Sequence, residues 1–266
     1  MSFFVSLQQV LLTSCPEEKA IFTRDIVSTW KEGPPAILPV HGEWPTPAAR
    51  EKPLLMHPNE MPRRGLGTLE GRIALLHAIA HIELNAIDLA IDMAGRFAFS
   101  IKEKDRQGFI TDWLKVADDE ARHFQMVSER LQDLGAAYGD LPAHDGLWQA
   151  AVRTDHDVLA RLAIAPMVLE ARGLDVTPGM ISKLQQVNDP KSARLLTQIY
   201  EEEIAHVATG TKWFRRICDQ RELLADECFQ KMVEDYFPGG LKRPFNTKAR
   251  DQSNFPEDWY IGLVDL

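Results

Sequence analysis

The segment DWLKVADDEARHFQMV, residues 112–127, decides the fold because two potential metal ligands lie inside its apolar stripe. Apolar residues recur at helical spacing from Trp113 to Val127, and Glu120 and His123 share their face. A Glu-x-x-His pair alone is weak evidence in a chain with this many Glu and His residues. The position of the pair on a core-facing stripe is what predicts a buried site.

A second Glu-x-x-His pair occurs in EEEIAHVATGTKWF, residues 201–214. Glu203 and His206 again fall within an apolar stripe of helical period. Glu201 and Glu202 compete for the place of Glu203. The choice of Glu203 therefore depends on its i, i+3 spacing to His206.

Two further glutamates, Glu83 and Glu170, each lie alone among apolar residues of a predicted helix. Buried carboxylates and imidazoles without partners would cost several kcal/mol each, and two divalent metal ions would compensate them. The order Glu, Glu-x-x-His, Glu, Glu-x-x-His is the ligand set of ferritin-like dinuclear bundles. The predicted metal ligands are Glu83, Glu120, His123, Glu170, Glu203 and His206. The alternative is that one or more of these carboxylates lies on a helix surface.

The pattern from residue 68 onward is helical and predicts an all-α fold built on a ferritin-like four-helix bundle. The predicted helices run over about 68–99, 108–134, 147–173, 188–218 and 222–236. We expect glycines to end the second and third helices, and Pro166 to kink the third. The loop over residues 135–146 is long enough to cross the length of a bundle.

The chain before residue 68 is predicted to be an addition to the bundle. Residues 5–31 favour one or two short helices broken near Pro16. Residues 33–67 contain too many prolines for a helix, which predicts an extended strap over the helices. The expected anchors of the strap are Trp44, Leu54, Leu55 and Met56.

The chain after the bundle is predicted to hold the last helix and an irregular, locally basic tail from Pro238 on. The basic residues of this tail are Lys242, Arg243, Lys248 and Arg250. We interpret the tail as a strap or an interface, the alternative being an RNA-binding arm. The predicted organisation is thus 1–67 for the N-terminal helices and strap, 68–218 for the bundle, and 219–266 for the C-terminal helix and tail.

Composition narrows the classes of partner. The formal net charge of -9 argues against a chain-wide nucleic-acid footprint. Three scattered cysteines, Cys15, Cys218 and Cys228, indicate neither a disulfide framework nor a cysteine zinc site, and they favour a reducing cytoplasm. The N-terminus is interpreted as a helix and not as a signal peptide, and no apolar run suggests a membrane span.

His77 and His81 share a helix face with Asn85, Asp88 and Asp92, away from Glu83. A second metal site on this face is one interpretation. The favoured interpretation is a polar face or a set of hydrogen bonds that supports the main site.

Six segments together resemble an uncharacterised bacterial family of ferritin-like proteins, a domain of unknown function, over roughly residues 50–250. They are LLHAIAHIELNAIDLAIDMAGRF (75–97), DWLKVADDEARHF (112–124), PAHDGLW (142–148), LEARGLDVTPGM (169–180), EEEIAHVATGTKWF (201–214) and RPFNTKAR (243–250). The resemblance implies the ferritin-like fold and the same six ligands. That family is distantly similar to the tRNA-isopentenyladenosine hydroxylase, a di-iron monooxygenase, from which no substrate is carried over.

The expected function is that of an oxygen-activating oxidoreductase with two metal ions, iron or else an iron/manganese pair. Its substrate would be an unidentified small molecule or a modified nucleoside, and the PAHDGLW loop and the strap are candidate lids. One alternative is a metal-handling or ferroxidase protein. Another is a non-catalytic binding protein that metal stabilises. Neither a membrane nor nucleic acid is an expected partner, and a homodimer remains open.

Overall fold

The computed structural model describes residues 2–39, 42–62 and 64–264, and this part of the chain is helical without any strand. It contains two isolated β-bridges, one between Leu55 and Ala143 and one between Leu241 and Val264. The all-α class is therefore confirmed. The chain divides into two compact units, Met1–Gly146 and Leu147–Leu266. The predicted three-part organisation, divided near residues 67 and 218, stays a prediction.

The first unit is built around two long helices that pack on each other. Its helices are α1 (Phe3–Leu11), α2 (Pro16–Glu32), α3 (Leu69–Arg96) and α4 (Glu103–Asp133). α3 packs along α4, with α2 against α4 and α1 against α3. Pro16 takes the first position of α2, where its missing N–H costs no hydrogen bond, so it begins a helix. α4 begins well before the expected residue 108, and Gly135 follows it with φ +80°.

α3 is the apolar centre of the first unit. By length and composition it is the one helix among the described residues that could cross a membrane. However, 67% of its most apolar window is buried within the protein, which is typical of a core helix in a soluble protein. Thr68 caps its N-terminus by accepting a hydrogen bond from the Gly71 N–H at 3.1 Å.

The proline-rich strap lacks a regular α-helix over its described residues and contains one short 3-10 turn at Pro58–Glu60. Residues 40, 41 and 63 of the strap lie outside the described part of the chain. Trp44 anchors it on α3, because its indole ring lies where a Cβ on Gly95 would be, at 2.0 Å. Arg50 is a second anchor through an ion pair with Asp88 of α3.

Leu54 and Leu55 are not anchors of the strap, contrary to expectation. Their side chains are 70% and 52% exposed. The backbone holds this part of the strap instead, since the Met56 N–H donates to the Ala143 carbonyl at 2.8 Å and the Ala143 N–H donates to the Leu54 carbonyl at 3.0 Å. Hydrogen bonds along the backbone leave these side chains free to face solvent.

The second unit consists of shorter helices packed around one long helix, α8. Its helices are α5 (Gly146–Arg153), α6 (Val158–Ile164), α7 (Ala171–Gln186), α8 (Pro190–Gln220), α9 (Ala225–Tyr236), α10 (Thr247–Gln252) and α11 (Glu257–Tyr260). A π-helical turn, Ala165–Glu170, joins α6 to α7. The π-helical turn and α6, α7, α9 and α10 all contact α8.

The predicted third helix, 147–173, is wrong at three places. It is interrupted before α6, where Asp157 caps a new helix by accepting from the Leu159 N–H at 2.8 Å. Its backbone widens into the π-helical turn that contains Pro166, and it continues past Gly173 into α7. Pro178 lies inside α7 and has no backbone N–H to donate to the carbonyl of Leu174. That carbonyl accepts a hydrogen bond from Asn246 Nδ2 instead, at 3.1 Å, so the proline is tolerated.

The sequence predicts an irregular tail after Pro238, but the structure has two short helices there, α10 and α11. Asn246 caps α10 by accepting from the Ala249 N–H at 3.2 Å, and α11 follows. Arg250 of this tail is 2% exposed and belongs to the core of the second unit. The sequence could not distinguish this buried cation from the exposed basic residues around it.

Candidate metal centre

In the first unit, the contact between α3 and α4 buries three of the six predicted ligands. Glu83 of α3 is 4% exposed, and Glu120 and His123 of α4 are 1% and 0% exposed. Each lies on the face that its apolar neighbours turn toward the other helix. Their burial agrees with the helical phase read from the sequence, while their role as metal ligands stays a prediction.

The three side chains converge. His123 Nδ1 lies 3.2 Å from Glu83 Oε2 and 3.6 Å from Glu120 Oε2. One ligand atom from each of the three residues lies within 4.8 Å of those from the others. Oxygen and imidazole nitrogen atoms gathered at this separation could hold a metal ion.

The electrostatics of this cluster favour positive charge. Burial lowers the pKa of His123, but hydrogen bonds and charge interactions with Glu120 and Glu83 outweigh it and raise that pKa to about 11. Two carboxylates facing one imidazole in a buried place thus form a strongly cation-attracting site.

In the second unit, the other Glu-x-x-His pair has a matching geometry. His206 Nδ1 lies 3.3 Å from Glu203 Oε2, and His206 is 1% exposed. Glu201 is exposed, and Glu202 accepts a hydrogen bond from Gln198 Nε2 at 3.3 Å. Among the three consecutive glutamates, Glu203 is therefore the one that faces the histidine.

Glu170 is the last residue of the π-helical turn. This turn packs against α8, the helix that carries Glu203 and His206. Gly210 of α8 allows the close approach, since a Cβ there would lie 2.6 Å from Pro166 Cβ. Single π-helical turns inside α-helices occur often at functional sites. The sequence indicated a kink at Pro166 but gave no signal for the π-helical form.

His77 and His81 hold the loop over residues 135–146 on α3. His81 Nε2 lies 3.2 Å from the His144 carbonyl, which can only accept, so this nitrogen carries the proton. The Tyr138 hydroxyl therefore donates to His81 Nδ1, at 2.8 Å. Burial and the charge of Arg50 lower the pKa of His81 to about 4, which keeps the ring neutral. With both ring nitrogens engaged, hydrogen bonding is favoured over a second metal site.

A buried ion cluster on the same face of α3 was missed from the sequence. Lys19 of α2 is fully buried and pairs with Asp88, which also pairs with Arg50. The ammonium of Lys19 donates in addition to the Val10 carbonyl at 2.8 Å. The sequence does indicate that Asp88 shares a helix face with two histidines. It does not indicate the partners of Asp88, because Lys19 and Arg50 come from distant parts of the chain.

Comparison with known proteins identifies a family. Residues 12–261 match the model of the family described as "Protein of unknown function (DUF455)". The chain is also 40% identical over 270 residues to an "Uncharacterized protein" of Haemophilus influenzae, covering 97% of this chain and 93% of that relative. No solved structure matches the chain. The chain therefore belongs to the DUF455 family, a family of unknown function.

Proposed function

We propose that this protein is a dinuclear metal protein with a ferritin-like bundle formed by α3, α4, α6 with α7, and α8. The proposed ligands are Glu83, Glu120 and His123 from the first unit and Glu170, Glu203 and His206 from the second. The observation that carries the proposal is the repeated Glu-x-x-His geometry, with Nδ1-to-Oε2 separations of 3.6 Å and 3.3 Å. Two such pairs on different helices are the arrangement that a metal pair requires.

The donor set suits iron or manganese. Four carboxylates balance the charge of two divalent ions, and each imidazole adds a neutral nitrogen ligand. Oxygen-rich sites with imidazole are typical of iron and manganese and not of a closed structural zinc site. We propose iron as the native metal and an iron/manganese pair as the alternative.

The proposed activity is oxidation of a substrate with dioxygen. A reduced metal pair, when bound, would supply the electrons for that chemistry. The chain contributes an environment from which water is excluded, because Glu83, Glu120 and His206 are each less than 5% exposed. Glu170 ends a π-helical turn, a backbone form that is frequent at functional sites.

Anaerobic titration of the metal-free protein with ferrous iron tests this proposal. We expect about two irons per chain and consumption of oxygen when air is admitted. Glu120→Gln and Glu203→Gln should each lower iron binding, while Glu201→Gln, an exposed neighbour on the same helix as Glu203, should leave it unchanged.

The outcomes separate the candidate functions. Failure to bind iron, and manganese in a parallel titration, contradicts the proposed metal protein. Iron binding without oxygen consumption would contradict the oxidoreductase and favour a metal-stabilised binding protein. Oxygen consumption that only converts ferrous to ferric iron, with continued uptake of iron, would favour a metal-handling role.

A further inference from the structure

A buried arginine in the second unit has a hydrogen-bonding nitrogen that no described residue accepts from. Arg250 is 2% exposed and binds Asp175 with two nitrogens, Nε to Oδ1 at 2.9 Å and Nη2 to Oδ2 at 2.7 Å. The third nitrogen, Nη1, is buried and has no hydrogen-bond partner among the described residues. A buried charged donor without an acceptor is costly, which points to an acceptor supplied by a ligand.

The surroundings of Arg250 keep its guanidinium charged and fixed. Three aromatic rings face it, with Cζ at 4.4 Å from the centre of Tyr260, 5.0 Å from Phe245 and 5.2 Å from Phe255. Aromatic faces attract a cation but supply no strong acceptor for its N–H groups. Nη1 is therefore held in place without a strong acceptor among the described residues.

Arg250 lines a cavity of about 180 Å³. The apolar part of its lining comes from Val168, Leu169, Phe237, Leu241 and Phe245. The charged part comes from Arg172, Lys242, Arg250 and Asp175, so cations outnumber anions around it. A positively charged edge on an apolar cavity complements a molecule with an apolar body and one acidic group.

We propose that this cavity binds a small aliphatic carboxylate whose acidic group accepts a hydrogen bond from Arg250 Nη1. Arginine pairs with carboxylates through short, charge-assisted hydrogen bonds. The volume holds about six water-sized groups at ~30 Å³ each, which limits the ligand to a chain of about six carbon atoms, as in hexanoate. Nothing among the six proposed metal ligands takes part in this binding.

The position of the cavity suggests what the bound molecule does. Val168 and Leu169 belong to the π-helical turn, and Glu170 follows them directly. A carboxylate in this cavity would lie against the backbone that carries a proposed metal ligand. Its role as substrate rests on the proposed function, whereas its binding does not.

Calorimetric titration of the metal-free full-length protein with hexanoate tests the inference, with 1-hexanol as the uncharged analogue. We expect hexanoate to bind at least about tenfold more tightly than 1-hexanol, because a charged carboxylate is a much stronger acceptor for a guanidinium N–H than a neutral hydroxyl is. Leu169→Trp should fill the cavity and weaken hexanoate at least about tenfold, while leaving the Asp175–Arg250 pair in place. Leu224→Trp, at an exposed position before α9, is the matched control and should bind like the unmodified protein.

Arg250→Lys adds a second readout, since it keeps the positive charge but loses Nη1. If it folds, its preference for hexanoate over 1-hexanol should be clearly smaller than that of the unmodified protein. If it does not fold, Leu169→Trp still decides. The inference is overturned by absence of hexanoate binding, by equal binding of both probes to the unmodified protein, or by unchanged binding in Leu169→Trp.

The hexanoate titration and the iron titration together distinguish this inference from the proposed function. Hexanoate binding by a protein that fails to bind iron would support the cavity and remove the dinuclear site. Iron binding without hexanoate binding would overturn the cavity and leave the dinuclear site standing.

Discussion

At the scale of single residues, Asp175 and Arg250 form an ion pair that burial removes almost entirely from water. Their side chains are 0% and 2% exposed, and two hydrogen bonds join them. Asp175 Oδ1 also accepts from the Asn246 backbone N–H at 2.9 Å. Removing one partner leaves the other charge buried, which is far more costly than losing a surface pair.

Arg250→Met should therefore destabilise the protein by about 3–5 kcal/mol in urea-induced unfolding followed by circular dichroism. The double variant with Asp175→Leu should recover part of this loss, because no unpaired charge then remains in the core. A loss below about 1 kcal/mol in Arg250→Met would show that water reaches the pair and that the site is not dry.

Two helical glycines differ in the room around them and should respond oppositely to alanine. Gly210→Ala places a Cβ at 2.6 Å from Pro166 Cβ, so we expect destabilisation of about 1–3 kcal/mol. Gly173 has no atom within 4 Å of the new Cβ, and Gly173→Ala should stabilise by about 0.5–1 kcal/mol through helix propensity. Thermal unfolding of both variants checks the pair, and a stabilising Gly210→Ala would contradict the close packing of the π-helical turn on α8.

At the scale of elements, α3 organises the first unit through a buried polar face. Its histidines bind the loop over residues 135–146, and Asp88 binds cations from α2 and the strap. The loop is thereby fixed along the helix that carries Glu83, and the lid role of the PAHDGLW segment (142–148) and of the strap stays a prediction. His77 contributes by accepting from the Gly139 N–H at 2.9 Å and the Leu141 N–H at 3.4 Å, both on Nε2.

Acidification should loosen this loop. Burial lowers the pKa of His77, an effect that the charge of Asp140 partly offsets. Because the folded-state pKa lies below the unfolded value of about 6.5, the contribution of neutral His77 is fully present above that pH and is lost as pH falls below it. Hydrogen exchange at Gly139 and Leu141 should therefore become faster below about pH 6.5, after correction for intrinsic rates. Equal protection at pH 5 and pH 8 would contradict this role of His77.

How far the sequence predicted these elements depends on the range of the interactions involved. Glu83, Glu120 and His123 could be found because α3 and α4 are long and regular, so periodicity fixes their faces. α7 could not be bounded, because Pro178 is tolerated only where Asn246, far along the chain, satisfies Leu174. The ion pairs of Lys19 and Arg250 could not be predicted for the same reason. No local sequence pattern distinguishes a buried lysine or arginine from an exposed one.

At the scale of the whole molecule, each compact unit carries one Glu-x-x-His pair and one further glutamate. The first unit gathers Glu83, Glu120 and His123 by its own helix packing. The second pairs Glu203 with His206 and carries Glu170 on a turn against the same helix. The central claim, which belongs to the proposed function, is that the six residues act on one pair of metal ions.

Anomalous X-ray scattering at the iron edge, from crystals of the iron-loaded protein, tests this claim most directly. We expect two iron peaks about 3.5–4 Å apart, with all six proposed residues in contact with one peak or the other. A single peak bound only by Glu83, Glu120 and His123, or iron located away from these residues, would contradict it.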